Sequence, residues 1–133
     1  MTLTTTTEVK KWLRGLALLK RDVEMRSAFY IDLIRDSQKM KENGKRHEAY
    51  YLARAERLHQ KMRQVMADTD RLMELLEPEE RVILHARYIK GVLWDGIEFY
   101  AHYSRRNAVR IHNRALKKLV GQEVETDVYA GEE

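Results

Sequence analysis

The sequence has no cysteine, so the chain can form neither a disulfide nor a thiolate metal site and has no cysteine nucleophile. Its single proline, Pro78, and only six glycines, together with 35% charged residues, favour a largely helical protein. No apolar run approaches the roughly 18 residues that a membrane span needs. The first residues lack the basic and apolar regions of a secretory signal. We therefore expect a cytoplasmic protein that is not inserted in a membrane.

The chain also lacks the motifs that carry catalysis or hold a cofactor. None of its five histidines forms a His-x-x-x-His pattern with a third ligand in view. There is no glycine-rich phosphate loop, nucleophile elbow or catalytic triad. The paired carboxylates Glu79 and Glu80 stand at the start of a predicted helix, where capping explains them. We expect no enzymatic activity, no metal and no cofactor.

Charge is distributed unevenly along the chain, although the net charge is only +4. Residues 104–119 hold six Lys or Arg and no Asp or Glu, whereas residues 120–133 hold five acids and no Lys or Arg. A short cationic helix followed by an acidic tail points to an anionic partner more strongly than the isoelectric point does.

Residues 1–76 show the apolar spacing of two long amphipathic helices. Gly44, in the segment Lys-Glu-Asn-Gly, is the predicted turn between them. Spacings that alternate between three and four residues define one seam in each helix. The first seam is Val9, Trp12, Leu16, Leu19, Val23, Tyr30 and Leu33, interrupted by Arg26, and the second is Tyr51, Ala55, Leu58, Met62, Val65, Thr69, Leu72 and Leu76.

Two such helices joined by a short break predict an antiparallel, coiled-coil-like hairpin over residues 1–76. A lone hairpin leaves much of its surface exposed, so we expect it to form a homodimer. The alternative is a helical spacer that packs only on the C-terminal part of the chain. In either case Trp12, Phe29 and Tyr30 are expected in the core or an interface.

Residues 77–120 predict three short helices separated by tight breaks. Pro78 suits the first turn of the first helix, and Lys90-Gly91 ends it. His102-Tyr103 is the predicted turn before the third helix, which Ser104 caps. The predicted buried positions are Val82, Ile83, Ala86 and Ile89 in the first helix, Trp94, Ile97 and Ala101 in the second, and Ala108, Ile111 or His112, Ala115 and Leu119 in the third. Residues 121–133 lack periodicity, so we expect a disordered acidic tail.

This arrangement predicts a helix-turn-helix DNA-binding domain whose recognition helix is residues 104–119. The N-terminal turns of such a helix reach base edges in the major groove, where arginine can pair with guanine and asparagine with adenine. Cations further along are suited to phosphates. The predicted DNA-binding residues are Ser104, Arg105, Arg106, Asn107, Arg110, Asn113, Arg114, Lys117 and Lys118. The alternative interpretation is an ordinary solvated basic face.

Several segments resemble region 4 of bacterial sigma factors, in the variant carried by phage and prophage regulators of the ArpU and RinA kind. The matching segments are Leu76-Glu-Pro-Glu-Glu-Arg81, Arg87-Tyr88-Ile89 with Gly91, Trp94-Asp-Gly-Ile97, Tyr103-Ser-Arg-Arg106, Arg110-Ile-His112 and Arg114-Ala-Leu-Lys-Lys-Leu119. Two positions depart from the usual pattern: Glu98 stands where a small apolar residue packs, and His112 stands where leucine is frequent.

The resemblance implies a sequence-specific regulator that binds double-stranded DNA in a bacterial host cell. Its relatives activate late phage genes and act at promoters or on RNA polymerase. Two other functions stay open. One is the DNA-recognition (small) subunit of a phage packaging terminase, and the other is a helical module whose basic helix binds an acidic protein.

Overall fold

A computed structural model describes residues 1–39 and 44–125. Within these ranges the chain forms five α-helices and no β-strand beyond one isolated backbone bridge. The all-α class with a long N-terminal helix pair is therefore confirmed. The helices are α1 (Thr6–Ser37), α2 (Gly44–Met73), α3 (Pro78–Leu84), α4 (Ile97–Ala101) and α5 (Arg105–Leu119).

The hairpin of α1 and α2 is antiparallel. Near its closed end, Gln38 donates a hydrogen bond to Glu48, and Tyr30 stacks on Tyr51 further along. Most of the predicted seam is buried, and Trp12 is completely so. Leu33 is instead 36% exposed, and the half-buried Ile34 and the buried Ser37 occupy the inner side at the end of α1.

The predicted break between the two long helices lies only partly within the described residues. Residues 41–43 fall outside them, and Gly44 is the first residue of α2 and not a turn residue. At its other end α2 stops at Met73, so Leu76 of the predicted seam lies in the connection to α3. Leu76 is nevertheless buried in the same core.

The C-terminal helices start and stop at local signals. Pro78 stands in the first turn of α3. After Leu84 the backbone widens into a π-helical turn, His85–Ile89, which ends at Gly91 in the left-handed conformation (φ 69°). A 3₁₀ turn, Trp94–Gly96, precedes α4, and His102 (φ 62°) then lets the chain turn into α5.

The burial pattern of α3 and the π-helical turn differs from the prediction at Val82, Leu84 and Tyr88. Val82 is 43% exposed and Leu84 is buried, whereas Ile83 and Ala86 are buried as predicted. Tyr88 is buried as well, because the π-helical turn adds residues per turn and rotates its later side chains inward. Ile97 is completely buried, as predicted, and lies with Ile83 and Ile111 in a small cluster.

A second and larger core runs across the predicted boundary at residue 76. Leu116 and Leu119 of α5 and Tyr88 belong to the same buried cluster as Trp12 of α1 and Leu72 of α2. The hairpin therefore has no separate core of its own, and α5 packs on its open end.

The acidic C-terminal segment is ordered in part, contrary to the expectation of disorder from residue 121. Thr2 and Glu123 form an antiparallel bridge, the amide of Leu3 donates to the carbonyl of Gln122 at 2.9 Å, and Val124 is 1% exposed. This segment pairs with the first residues of the chain. The local sequence near residue 121 could not predict that pairing, because the partner lies at the other end of the chain. Residues 126–133 lie outside the described residues.

Replacement of Ile97 tests the smaller cluster. Ile97→Ala should lower the free energy of unfolding by about 2–5 kcal/mol, because it removes a completely buried side chain. Phe99→Ala in the same helix is the matched control, since Phe99 is 88% exposed, and it should change stability by less than about 0.5 kcal/mol. Urea unfolding followed by circular dichroism measures both, and equal effects would contradict the assignment of Ile97 to the core.

Candidate nucleic-acid interface

Helix α5 presents its N-terminus and one long side to solvent. The Ser104 hydroxyl accepts a hydrogen bond from the amide of Asn107 at 3.2 Å, which confirms the predicted cap. His102 in the left-handed conformation sets the direction in which α5 leaves α4. The cap and the turn therefore fix where α5 begins and which residues follow in its first exposed turn.

The inner side of α5 is apolar and completely covered. The predicted positions Ala108, Ala115 and Leu119 are buried, and Ile111 and His112 are both buried where one or the other was expected. Leu116 is also buried, so the inner side is wider than predicted.

Burial favours the neutral form of His112, and two hydrogen bonds fix the orientation of its ring. The Oδ1 atom of Asn113 can only accept, so Nδ1 of His112 carries the proton and donates to it at 3.0 Å. Nε2 then accepts from the Tyr88 hydroxyl at 2.7 Å. Burial lowers the pKa of His112 and raises the pKa of Tyr88, so both groups are neutral near pH 7. This contact confirms that His112 is a packing residue.

Two of the predicted phosphate contacts turn out to be structural ion pairs. Glu80 is completely buried, and its Oε1 accepts from Nζ of Lys118 at 2.7 Å while its Oε2 accepts from Nε of Arg114 at 2.8 Å. Arg114 also donates to Glu79 at 2.5 Å. Arg114 and Lys118 therefore have carboxylate partners within the protein, although each side chain is more than a third exposed.

The Glu80 carboxylate also accepts from the backbone amide of Glu77 at 2.7 Å, so it caps α3 as the sequence predicts. Burial alone would raise the pKa of Glu80, but the hydrogen bonds from Lys118, the Glu77 amide and Arg114 outweigh it and hold the pKa below its ordinary 4.5. The capping role of Glu80 was predicted, but its pairing with α5 was not, since its partners Arg114 and Lys118 are more than 30 residues away in the sequence.

The remaining polar residues of α5 lie on its solvent side. We call Arg106, Arg110, Asn113 and Lys117 the outer face of α5, because their spacing of four, three and four residues places them in one row about 17 Å long. All four are exposed. Within residues 1–39 and 44–125, Arg106 and Lys117 have neither an ion pair nor a side-chain hydrogen bond.

An open groove lies at the N-terminal end of this row and is lined by Ser104, Arg106, Asn107 and Arg110. Oδ1 of Asn107 accepts from both Nε and the terminal nitrogen of Arg110, at 3.2 and 2.7 Å. Arg105, the other predicted site residue of this turn, points to the side and pairs with exposed Asp95. The groove thus holds the preordered pair of Arg110 and Asn107 next to Arg106, which has no side-chain partner among the described residues.

The arrangement offers positive charge and planar hydrogen-bonding groups. Among the described residues no cluster of three or more His, Asp or Glu could hold a metal ion. In the same part of the chain no helix is long and apolar enough to cross a membrane.

Comparisons of the chain with protein-family models, with curated proteins and with solved structures found no match. The resemblance to sigma region 4 therefore rests on the residues quoted above.

Replacement of Glu80 tests the buried ion pairs. Glu80→Gln should lower the free energy of unfolding by about 2 kcal/mol, below the 3–5 kcal/mol for a completely buried pair, because Arg114 and Lys118 are partly exposed and can be solvated. Glu79→Gln is the matched control, because Glu79 is 41% exposed and should contribute at most about 1 kcal/mol.

The same variant should alter the response to pH. Because the folded-state pKa of Glu80 is lowered, its contribution is fully present above its ordinary value of 4.5 and is lost as pH falls through the folded pKa. The gap in stability between wild type and Glu80→Gln should therefore narrow below about pH 4.5. A gap that stays constant from pH 7 to pH 3 would contradict the ionised, paired Glu80.

Proposed function

We propose that the protein is a sequence-specific regulator that binds double-stranded DNA through α5. One observation carries the proposal: the outer face of α5 has arginine, asparagine and lysine in a single exposed row, while the other two cations toward the C-terminus of α5, Arg114 and Lys118, are paired internally. A basic face that merely kept the protein soluble would not require one set of cations to be exposed in a row and another set to be paired internally.

The residue types suit the two kinds of DNA contact. Arg106, Asn107 and Arg110 lie in the first turns after the Ser104 cap, which is the part of a recognition helix that reaches base edges. Arginine can pair with guanine through two hydrogen bonds, and asparagine can do so with adenine. Lys117, three turns further along, is suited to a phosphate. We propose that α4, the turn at His102 and α5 act as a helix-turn-helix.

The proposed biological role depends on the family resemblance and not on a particular contact. Gene regulation in a phage or prophage, and contact with RNA polymerase, follow from the resemblance to sigma region 4 alone. Packaging of phage DNA would use the same helix in a ring of many copies, whereas a regulator acts as a dimer on a site with two halves. Measurement of the mass of the assembly in solution separates the two roles.

Replacement of Arg110 tests the base-reading role. Arg110→Ala should weaken binding to the cognate site, obtained by selection from random or phage DNA, by about 1–3 kcal/mol and weaken binding to random DNA much less. Fluorescence anisotropy with both DNAs at one salt concentration measures the difference. Equal losses on the two DNAs would show that Arg110 contacts only the backbone.

Two adjacent lysines provide a matched pair for the phosphate role. Lys117→Ala should weaken binding uniformly and reduce the slope of log affinity against log salt by about one. Lys118→Ala should leave that slope nearly unchanged and instead reduce stability, since Lys118 is paired with Glu80. The reverse result, a changed slope for Lys118 alone, would contradict the proposed orientation of α5 on DNA.

A further inference from the structure

A second row of side chains runs along α1 on the face opposite its buried seam. It begins with two cations, continues with three apolar side chains and ends with two acids. These seven positions fall within about 60° of one another around the helix and span about 38 Å. We call them the outer stripe of α1: Lys11, Arg14, Leu18, Met25, Phe29, Asp32 and Asp36.

The outer stripe is uncovered in the single chain. Leu18 and Phe29 are each 65% exposed and Met25 is 63% exposed, and the four charged members are exposed as well. Phe29 was expected in the core or an interface, and its exposure excludes the core of the single chain. A row of three large apolar side chains on one helix face is more than isolated surface residues require.

The order of the charges identifies the partner. If a second α1 lies antiparallel on the first, Lys11 faces Asp36 of the second copy and Arg14 faces Asp32 of the second copy, at both ends at once. Leu18 then lies opposite Phe29 of the second copy, and Met25 lies next to the two-fold axis. A parallel pair would instead place cation against cation and acid against acid, which is unfavourable.

We propose that the outer stripe of α1 is the interface of a two-fold symmetric homodimer in which the two α1 helices pack antiparallel. A two-fold interface uses the same patch on both copies, so the patch must be complementary to its own reversed copy, and this stripe meets that condition. The apolar side chains supply the attraction, and the exposed ion pairs select the orientation.

The proposed pairing also sets the separation of the two α5 helices. Helix α5 packs near Trp12, since Leu116 and Leu119 of α5 lie in the same buried cluster as Trp12. In this pairing Trp12 and residue 35 of the second copy lie at the same level along the helix axis, so the two packing sites are 23 residues of helix apart, or about 35 Å. Half-sites one turn apart on DNA are separated by about 34–36 Å. This last step rests on the proposed function, whereas the dimer itself does not.

A charge exchange tests the interface without DNA. The variant D32K/D36K has cations at both ends of the stripe, and the variant K11E/R14E has acids at both ends. Each should be monomeric at micromolar concentrations where the wild type is dimeric, with a dissociation constant raised about tenfold or more. An equimolar mixture should form a heterodimer, because every charged position then faces its opposite again.

Sedimentation velocity measures the three samples, with circular dichroism to show that each variant stays helical. E24K/D70K is the matched control, since it changes the net charge as D32K/D36K does at exposed positions off the stripe, and it should remain dimeric. Variants that stay dimeric would overturn the assignment of the stripe. A mixture that stays monomeric would overturn the antiparallel pairing, and a wild type that is monomeric or forms a larger ring would overturn the dimer.

Failure of the dimer and failure of DNA binding are distinguishable. Binding of monomeric D32K/D36K to a single half-site would leave the DNA-binding proposal intact. A wild type that dimerises as described but binds no DNA at low salt would reject the proposed function alone.

Discussion

The buried carboxylate of Glu80 is the contact on which the position of α5 depends. It caps α3 through the amide of Glu77 and at the same time receives Lys118 and Arg114 from α5. A buried charge left without partners is strongly unfavourable, so α3 and α5 cannot slide or rotate past each other without a large loss of stability. Because Arg114 and Lys118 are held on this side, the outer face of α5 is directed to solvent.

The apolar contacts extend this constraint to the hairpin. Leu116 and Leu119 lie in one cluster with Trp12 and Leu72, so the packing that holds α5 also holds the open end of α1 and α2 together. The bridge between Thr2 and Glu123 joins the two ends of the described chain at the same place. The helix that we propose to contact DNA is therefore set rigidly on the helix that carries the proposed dimer interface.

Local signals in the sequence were sufficient for most of the fold. The Ser104 cap, the break at Gly91 and the turn at His102 each depend on neighbouring residues, and each was predicted. The apolar rows of α1 and α5 were also predicted, since a buried helix side repeats at a period of 3.6 residues.

What the sequence did not reveal depends on contacts between distant residues. Lys118 looks like a free cation until Glu80, 38 residues earlier, is brought next to it. Residues 121–125 have no periodicity, and they are ordered because Leu3 and its neighbours pair with them and because Asp68 of α2 accepts a hydrogen bond from the amide of Glu125. The π-helical turn at His85–Ile89 changes the phase of the helix, which is why the burial of Tyr88 was not predicted.

The outer stripe of α1 was not predicted from the pattern of hydrophobic residues, for a further physical reason. Its apolar members are flanked by cations at one end and acids at the other. The mean hydropathy of the whole stripe is therefore polar, although its central residues are apolar. Such a mixed row penalises any pairing that sets like charges against each other. An entirely apolar row of the same length would bind more strongly but would accept parallel, shifted or unrelated partners. The order of charges along one helix can therefore limit the assembly to a single orientation, and a fixed orientation is what two DNA-reading helices on one site require.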